Sequence, residues 1–242
     1  MKTKFGIFAS FFASLWGICV YLSLLLVLGS LAGCTAMAQT GPGSPLQTLT
    51  GTEPAFSGNE TGFRSVLQGR ASFFSTDANQ NLSIQELGQA VGIDSSIAVE
   101  PFKFAVIDLD GDDVQEIVLW LQAGENDSFG FEILRQQDGQ IYGYALVYRA
   151  FMDLKKDGTF SFSSGAADSG FGSISFTDKS YKIHEIARSE SAYDANGELT
   201  VSYFVNGQAA TEAEFMSAVE KQAGKESILW YDFNDENIAS VH

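Results

Sequence analysis

Cysteine, histidine and basic side chains are scarce in this chain. Among 242 residues there are 2 Cys, 2 His and 14 Lys plus Arg, against 30 Asp plus Glu. Cys19 lies inside an apolar N-terminal run, which leaves Cys34 without a disulfide partner in the folded body and excludes a CxxC metal or redox site. The shortage of Lys and Arg argues against nucleic-acid binding, because phosphate contacts need clustered basic residues. The net charge of −16 favours solubility and divalent cations instead.

The N-terminus has the pattern of an export signal. Lys2 and Lys4 precede a 27-residue apolar run from Phe5 to Leu31, and the run ends in Leu31-Ala32-Gly33-Cys34. This ending resembles the lipobox of bacterial lipoproteins, in which small residues precede a cysteine that is lipidated on its thiol. The resemblance implies a signal peptide over residues 1–33 and a lipid anchor at Cys34. The alternative is an uncleaved transmembrane anchor, because ~20 apolar residues suffice to span a bilayer. Both readings predict a domain outside the cytoplasmic membrane.

The rest of the chain divides into a tether and a domain. Residues 34–61 are rich in Thr, Gly, Ser, Pro and Ala and have no apolar period, which is typical of a flexible tether. Residues 62–242 have a length that fits one globular domain. The 20 Phe, 8 Tyr and 3 Trp of the chain permit a sizeable core.

Hydrophobic periodicity predicts an α+β fold for this domain. A helix is expected over residues 62–75, and capping boxes at residues 83–86 and 211–214 predict two further helix starts. Roughly four or five hairpins lie between them, one with a type I′ turn at Gln137-Asp138-Gly139, and they predict an antiparallel meander of about seven to nine strands packed with two or three helices. The predicted strands cover residues 101–109, 115–123, 129–135, 141–148, 159–162, 174–176, 181–186 and 199–205. The helix after residue 211 is expected to bury Phe215, Met216, Val219 and Ala223.

The most specific chemical signal is the acidic turn Asp108–Glu116, with the sequence Asp-Leu-Asp-Gly-Asp-Asp-Val-Gln-Glu between two apolar segments. Its side-chain oxygens at positions 1, 3, 5 and 9 suit a hard cation that takes six to eight oxygen ligands. Three aspartates at alternate positions also repel one another unless a cation offsets their charge. The alternative is a tight hairpin with solvated carboxylates.

The acidic turn resembles the D-x-D-G-D-x-x-x-E loop of FG-GAP and VCBS-type repeats, in which a loop between two antiparallel strands binds calcium. The sixth position, usually Gly, is Asp113 here, and Asp tolerates a left-handed backbone better than most residues. A single copy of the loop argues against a β-propeller. The resemblance implies Ca²⁺ ligands from the carboxylates of Asp108, Asp110, Asp112 and Glu116 and from the carbonyl of Val114.

Three other stretches carry weaker signals. Ser163–Ser173 is small and flexible, and we expect a long loop between strands rather than a ligand cradle. Asp77–Asn81 begins like an EF-hand loop but lacks its central Gly and a Glu at the twelfth position, so we expect a polar turn. His184 is the one credible general base, but without a GxSxG elbow it is expected to be a surface or partly buried histidine on a strand.

The domain as a whole resembles a family of uncharacterised lipoproteins from Gram-positive gut bacteria. The resemblance implies a secreted, anchored domain and brings no assigned activity. The stretches that carry it are Arg70–Phe74, Asp108–Glu116, Tyr148–Phe151, Asp168–Gly172, Thr211–Phe215 and Trp230–Phe233.

The sequence therefore supports two functions. The first is a non-catalytic surface lipoprotein that binds a ligand or a cell-surface partner, with calcium as a structural clamp. The alternative is an extracellular glycan hydrolase, which would need two carboxyl groups about 5–10 Å apart in a concave pocket.

Overall fold

The computed structural model describes residues 60–92, 97–165, 168–177 and 179–241. All of them belong to a single structural unit. The predicted signal segment, Cys34 and the predicted tether up to residue 59 lie outside the described residues. Residues 60 and 61, the predicted end of the tether, belong to the first helix.

The described residues form four α-helices and twelve strands, which confirms the α+β class. The strand count exceeds the prediction because β1, β2, β11 and β12 are only two or three residues long, too short to show a period. The helices are α1 (Glu60–Leu67), α2 (Leu87–Ala90), α3 (Glu212–Ala223) and α4 (Asp235–Ala239), with 3-10 turns at Ile84–Glu86 and Tyr148–Ala150. The strands are β1 (Phe73–Ser75), β2 (Gln80–Leu82), β3 (Val99–Ile107), β4 (Glu116–Ala123), β5 (Asn126–Gln137), β6 (Gln140–Val147), β7 (Phe160–Ser163), β8 (Ser169–Thr177), β9 (Ser180–Tyr193), β10 (Leu199–Val205), β11 (Gln208–Ala210) and β12 (Tyr231–Asp232).

The strands form two sheets. A seven-stranded sheet has the order β12-β3-β4-β5-β6-β1-β2, and a five-stranded sheet has the order β11-β10-β9-β8-β7. Neighbouring strands are antiparallel except β1 and β6, which run parallel with Phe74 opposite Tyr142. Because β3 to β6 and β7 to β11 each follow in chain order, both sheets contain the predicted antiparallel meander.

The seven-stranded sheet is covered on both faces. Leu119 of β4 packs in one cluster with residues of α1, α2 and α4, whereas its neighbour Val118 packs in a second cluster that includes Ile174 of the other sheet. Successive side chains of a strand point to opposite faces, so a strand covered on both sides reads as an unbroken apolar run. The far face of the five-stranded sheet packs against α3 through Phe215.

Local turn and capping signals are confirmed. Asp138 and Gly139 both have positive φ, at 51° and 79°, as a type I′ turn requires. Thr211 accepts a hydrogen bond from the Glu214 N–H, and the Glu214 side chain accepts in return from the backbone of Thr211. The second box, at residues 83–86, precedes a 3-10 turn that leads into α2. These signals act within four residues, so tertiary packing does not override them.

The predicted helix over residues 62–75 is wrong in its second half. Helix α1 ends at Leu67, and Gly69 takes a left-handed φ of 67°, which stops a helix. Phe73 and Phe74 then join β1, where Phe74 packs edge-on against Tyr142. The strand pairing with β6 overrides the helical spacing of these apolar residues.

The predicted buried stripe of α3 is also partly wrong. Phe215 is buried, but Met216 is 51% exposed and Ala223 is exposed. The residue that completes the buried face is Gln222, whose Nε2 donates to Thr159 Oγ1 at 2.9 Å. The spacing of seven between residues 215 and 222 follows two helical turns, and a buried hydrogen bond compensates the polar side chain.

One carboxyl group lies inside the apolar core. Glu132 of β5 is fully buried, and neither of its carboxylate oxygens has a hydrogen-bond partner within the described part of the chain. Gly143 on β6 makes room for it, since a Cβ there would overlap Glu132 Oε1 and the Phe73 ring. Burial, and then repulsion from Asp77, raises the pKa of Glu132 well above its usual value.

Candidate metal centre

The acidic turn joins β3 to β4, as predicted, and Asp108 organises it. Its Oδ1 accepts from the N–H groups of Gly111 at 2.8 Å and Asp112 at 3.2 Å, and its Oδ2 accepts from the Asp113 N–H at 3.0 Å. Gly111 and Asp113 take left-handed φ values of 77° and 65°. Asp113 thus adopts the conformation expected at the position that Gly usually fills.

The acidic turn packs against a second turn, at residues 155–158. Leu109 is buried at 2% exposure and anchors the acidic turn in the core between the sheets. Gly158 packs against its backbone, where a Cβ would lie 2.5 Å from the Leu109 carbonyl oxygen. Gly158 also has a φ of 77°, so both its conformation and its surroundings require glycine.

Three carboxylates converge at the base of the turn. Asp108, Asp110 and Glu116 each place one oxygen so that the three atoms lie within 4.8 Å of one another. The Glu116 side chain is fully buried and that of Asp110 is 9% exposed. Asp110 Oδ1 is buried and has no hydrogen-bond partner among the described residues. Converging oxygens with one buried and unsatisfied atom fit a hard cation, which prefers such ligands.

Arg135 of β5 supplies positive charge to the same cluster. Its Nη1 pairs with Glu116 Oε1 and lies 3.4 Å from Asp110 Oδ2, while its Nη2 lies 2.5 Å from Asp112 Oδ2. The guanidinium carbon sits 5.0 Å from the centre of the Phe176 ring, and the Arg135 side chain is only 11% exposed. A single arginine therefore contacts three acids of the turn.

Burial governs the electrostatics of the cluster. It raises the pKa of Glu116 to about 8, although the Leu109 N–H and the Arg135 guanidinium act in the opposite direction. Burial likewise raises the pKa of Asp110, against the attraction of Arg135. For Asp112 burial also acts upward, but hydrogen bonds from Arg135 and the Val114 N–H leave its pKa below the usual value. Arg135 alone thus leaves two of these acids costly to ionise, which favours a further cation.

Of the four predicted carboxylate ligands, three are brought together. Asp108, Asp110 and Glu116 form the converging group. Asp112 stands outside that group, since one of its oxygens pairs with Arg135 and the other accepts from the Val114 N–H at 2.9 Å. The fifth predicted ligand, the carbonyl of Val114, stays a prediction. The loop thus concentrates its carboxylates in a smaller set than its sequence resemblance implies.

Arg135 is the residue that sequence reasoning missed. A signal for it exists in the strand register, because Ile117 of β4 lies opposite Leu134 of β5. One step further along this ladder Glu116 meets Arg135, and opposite charges at such positions attract. The pair can be found only from the register of β4 and β5, and the predicted strands, at residues 115–123 and 129–135, do not fix that register.

The weaker candidates turn out to be structural. The loop predicted over Ser163–Ser173 does join two strands, but it is shorter than predicted, because β7 ends at Ser163 and β8 begins at Ser169. Asp168, at the end of this loop, accepts from the Ser191 N–H at 2.5 Å. Asp77 lies in the turn between β1 and β2, as expected, and its Oδ2 accepts from the Ala145 N–H at 3.0 Å. Both carboxylates therefore satisfy backbone groups of neighbouring strands.

His184 lies on β9 and is exposed, as expected. Its Nε2 is 2.7 Å from Ser175 Oγ on the adjacent strand β8, on the outer surface of the five-stranded sheet. Within the described residues no carboxylate hydrogen-bonds to this histidine, so a Ser-His-Asp arrangement is absent there.

Comparison with known proteins finds no match among protein-family models, curated proteins or solved structures. Across the described residues, every helix is too short or too polar to traverse a bilayer.

Proposed function

We propose that this domain binds one calcium ion at the acidic turn and serves as a non-catalytic binding module. The observation that carries the proposal is the convergence of Asp108, Asp110 and Glu116 on a region less than 4.8 Å across. Calcium contacts its oxygen ligands at about 2.3–2.6 Å, so oxygens of that spacing can surround one ion. β3 ends just before the turn and β4 begins at its last residue, so the pairing of these two strands fixes the positions of the ligands.

The local charge supports a divalent ion. When ionised, the carboxylates of Asp108, Asp110, Asp112 and Glu116 and the Arg135 guanidinium together carry a charge of −3, of which one divalent cation offsets two. Arg135 then pairs with Glu116 and Asp112, and the ion interacts with the three converging carboxylates. Calcium is the divalent ion that best suits carboxylate and carbonyl oxygens in flexible geometry, and extracellular modules bind it at 10⁻⁴–10⁻³ M.

The location outside the cytoplasmic membrane remains a proposal from the sequence. It is supported by the lipobox-like ending at Cys34 and by the residues 34–61 that separate it from the domain. Millimolar calcium in that environment would largely occupy even a weak site. The net charge of −16 favours a cationic or neutral partner over nucleic acid or anionic lipid.

The alternative, glycan hydrolysis by paired carboxylates, is less well supported. Among the clustered acids, burial raises the pKa of Asp110 and, to about 8, that of Glu116, which is the direction that a general acid needs. The Glu116 side chain is fully buried, however, and its two oxygens accept from Arg135 and from the Leu109 N–H at 2.9 Å. A carboxyl that no substrate can reach cannot transfer a proton to a leaving group.

Thermal unfolding with and without calcium tests the proposal. An ion that binds only the folded state stabilises it by ~2.7 kcal/mol at a hundredfold excess over its dissociation constant. We expect calcium to raise the Tm of the wild-type domain relative to EDTA, and Asp110→Ala to abolish the rise. Asp113→Asn is the matched control, because it removes one charge from the same turn but none from the converging group. The same rise in Asp110→Ala and wild type would refute the site.

A further inference from the structure

A cavity of about 970 Å³ opens beside the acidic turn. It lies where β3 runs past the end of β12, which pairs only with Lys103 and Phe104. The chain before β12 leaves the sheet at this level, because the Ile228 N–H donates to the Leu154 carbonyl at 3.1 Å and Ser227 bridges to Lys155. The space that a longer β12 would fill is left open.

The walls of this cavity are of two kinds. One end is acidic and contains Asp108 and Asp110, two of the three converging carboxylates. The lining also includes Lys156 and Asp157, whose opposite charges offset each other. The remaining lining is mainly apolar and comes from β3, β8, the chain before β12 and the C-terminal residues 240–241. Its apolar residues include Val106, Ile174, Ile228, Leu229 and Val241.

The proposed ion would therefore face the cavity. Glu116 is not part of the cavity lining and lies behind the other two acids, buried against Arg135. Calcium takes six to eight oxygens, and three carboxylates do not fill that number. The remaining positions are open on the side where Asp108 and Asp110 meet the cavity, so oxygens of a molecule in the cavity can complete the coordination.

The net charge around the proposed ion determines which oxygen-bearing group of a ligand can complete its coordination. With calcium bound, the three carboxylates, Arg135 and the ion are neutral together, and Asp112 adds one negative charge at the edge. An anionic head group gains little there, whereas neutral hydroxyls replace water on calcium without adding charge. The apolar walls favour an apolar body on the same molecule.

We propose that the cavity binds a neutral amphiphile, with a head group of adjacent hydroxyls on the calcium ion and an apolar body along Leu229 and Val106. This inference rests on the proposed calcium site. The chemistry is that of a sugar or polyol joined to an alkyl chain.

Titration calorimetry with octyl glucoside below its micellar concentration tests the inference. We expect binding in calcium that weakens at least about tenfold in EDTA, a change equivalent to 1.4 kcal/mol. Nonanoate, which has the same eight-carbon alkyl body and an anionic head, should bind more weakly than octyl glucoside. Absence of octyl glucoside binding in calcium, equal binding in EDTA, or tighter binding of nonanoate would each overturn the inference.

Two leucine variants separate the cavity from the metal site. Leu229 lines the cavity and is 59% exposed, and Leu199 on β10 is 57% exposed and lies away from it. Leu229→Ser should weaken octyl glucoside binding and keep the calcium-dependent rise in Tm, and Leu199→Ser should change neither. Equal effects of the two variants would overturn the cavity assignment while the calcium proposal stands. Loss of the rise in Tm in the wild type would overturn the calcium proposal itself.

Discussion

Arg135 and Glu116 form a buried ion pair at the ends of two neighbouring strands. The Glu116 side chain is fully buried and that of Arg135 is 11% exposed, so neither charge is well solvated. The pair fixes the base of the acidic turn, because the other oxygen of Glu116 accepts from the Leu109 N–H at 2.9 Å. The acids of the turn thus have one internal cation before any ion binds.

Removal of Arg135 is expected to destabilise the domain and to make its stability more dependent on calcium. Breaking a buried ion pair by removing one partner costs about 3–5 kcal/mol, since the other charge is left uncompensated. Arg135→Met should therefore lower the free energy of unfolding strongly in EDTA, and calcium should recover part of the loss. Urea unfolding of both proteins with and without calcium measures this.

Arg188→Met is the control for that experiment. Arg188 on β9 pairs at the surface with Glu185, at 2.9 Å, and with Glu190. Surface pairs contribute about 0–1 kcal/mol, so this variant should unfold nearly as the wild type does and gain nothing extra from calcium. An equal loss in the two arginine variants would contradict the central role of Arg135.

Glu132 should make stability fall as pH rises. Burial, and then Asp77, raises the pKa of Glu132 above its unfolded value of 4.5. A carboxyl whose pKa is raised in the folded state does not change the free energy of unfolding with pH below its unfolded pKa. As pH rises from there toward the folded pKa, it lowers the free energy of unfolding progressively. Glu132→Gln should therefore match the wild type near pH 4 and exceed its stability by a growing margin above pH 5.

Urea unfolding as a function of pH measures the Glu132 effect. The margin between Glu132→Gln and wild type is the quantity to follow. Glu100→Gln serves as the control, because Glu100 lies exposed on β3 and its substitution should give a margin near zero at every pH. A Glu132→Gln margin that does not change with pH would rule out the buried, protonated carboxyl.

Gly158→Ala should disturb the acidic turn. The new Cβ would lie 2.5 Å from the Leu109 carbonyl oxygen, and the residue must keep a φ of 77°. Gly197→Ala faces a similar φ of 81° but has no atom within 4 Å of its new Cβ in the described structure, so it isolates backbone strain. Strain of this kind costs about 1–3 kcal/mol, and Gly158→Ala should cost more.

Calcium-dependent Tm shifts give a second measurement on these two glycine variants. Gly158→Ala should reduce the shift, because it would displace Leu109, which lies between the proposed ligands Asp108 and Asp110 in the chain. Gly197→Ala lies on the β9–β10 turn and should leave the shift unchanged. If the two variants behave alike in both assays, the packing of residues 155–158 does not support the metal turn.

Cys34→Ser tests the proposed anchor. Lipidation of a lipobox cysteine occurs on its thiol, so the serine variant should remain unprocessed and should take up no fatty-acid label. Metabolic labelling with a fatty-acid analogue, followed by separation of membrane and soluble fractions, reports both properties. Equal labelling of the variant and the wild type would exclude Cys34 as the lipid attachment point.

The sequence by itself determined the features that depend on neighbouring residues. The capping boxes at residues 83–86 and 211–214 and the turn at residues 138–139 were predictable because their hydrogen bonds and φ values are set within about four residues. The acidic turn between two strands was predictable for the same reason, as was the left-handed backbone of Asp113.

The tertiary structure decided everything that depends on which strand lies beside which. Phe73 and Phe74 lie in a strand instead of the predicted helix because Phe73 pairs with Leu82 of β2 and Phe74 pairs with Tyr142 of β6. Arg135 entered the acidic cluster because the register of β4 and β5 brings it beside Glu116, 19 residues away in sequence. The cavity exists because residues 227–228 pair with residues 154–155 instead of continuing along β3. Local patterns cannot encode such choices, since a strand's partner is selected by the burial of whole faces rather than by any short segment.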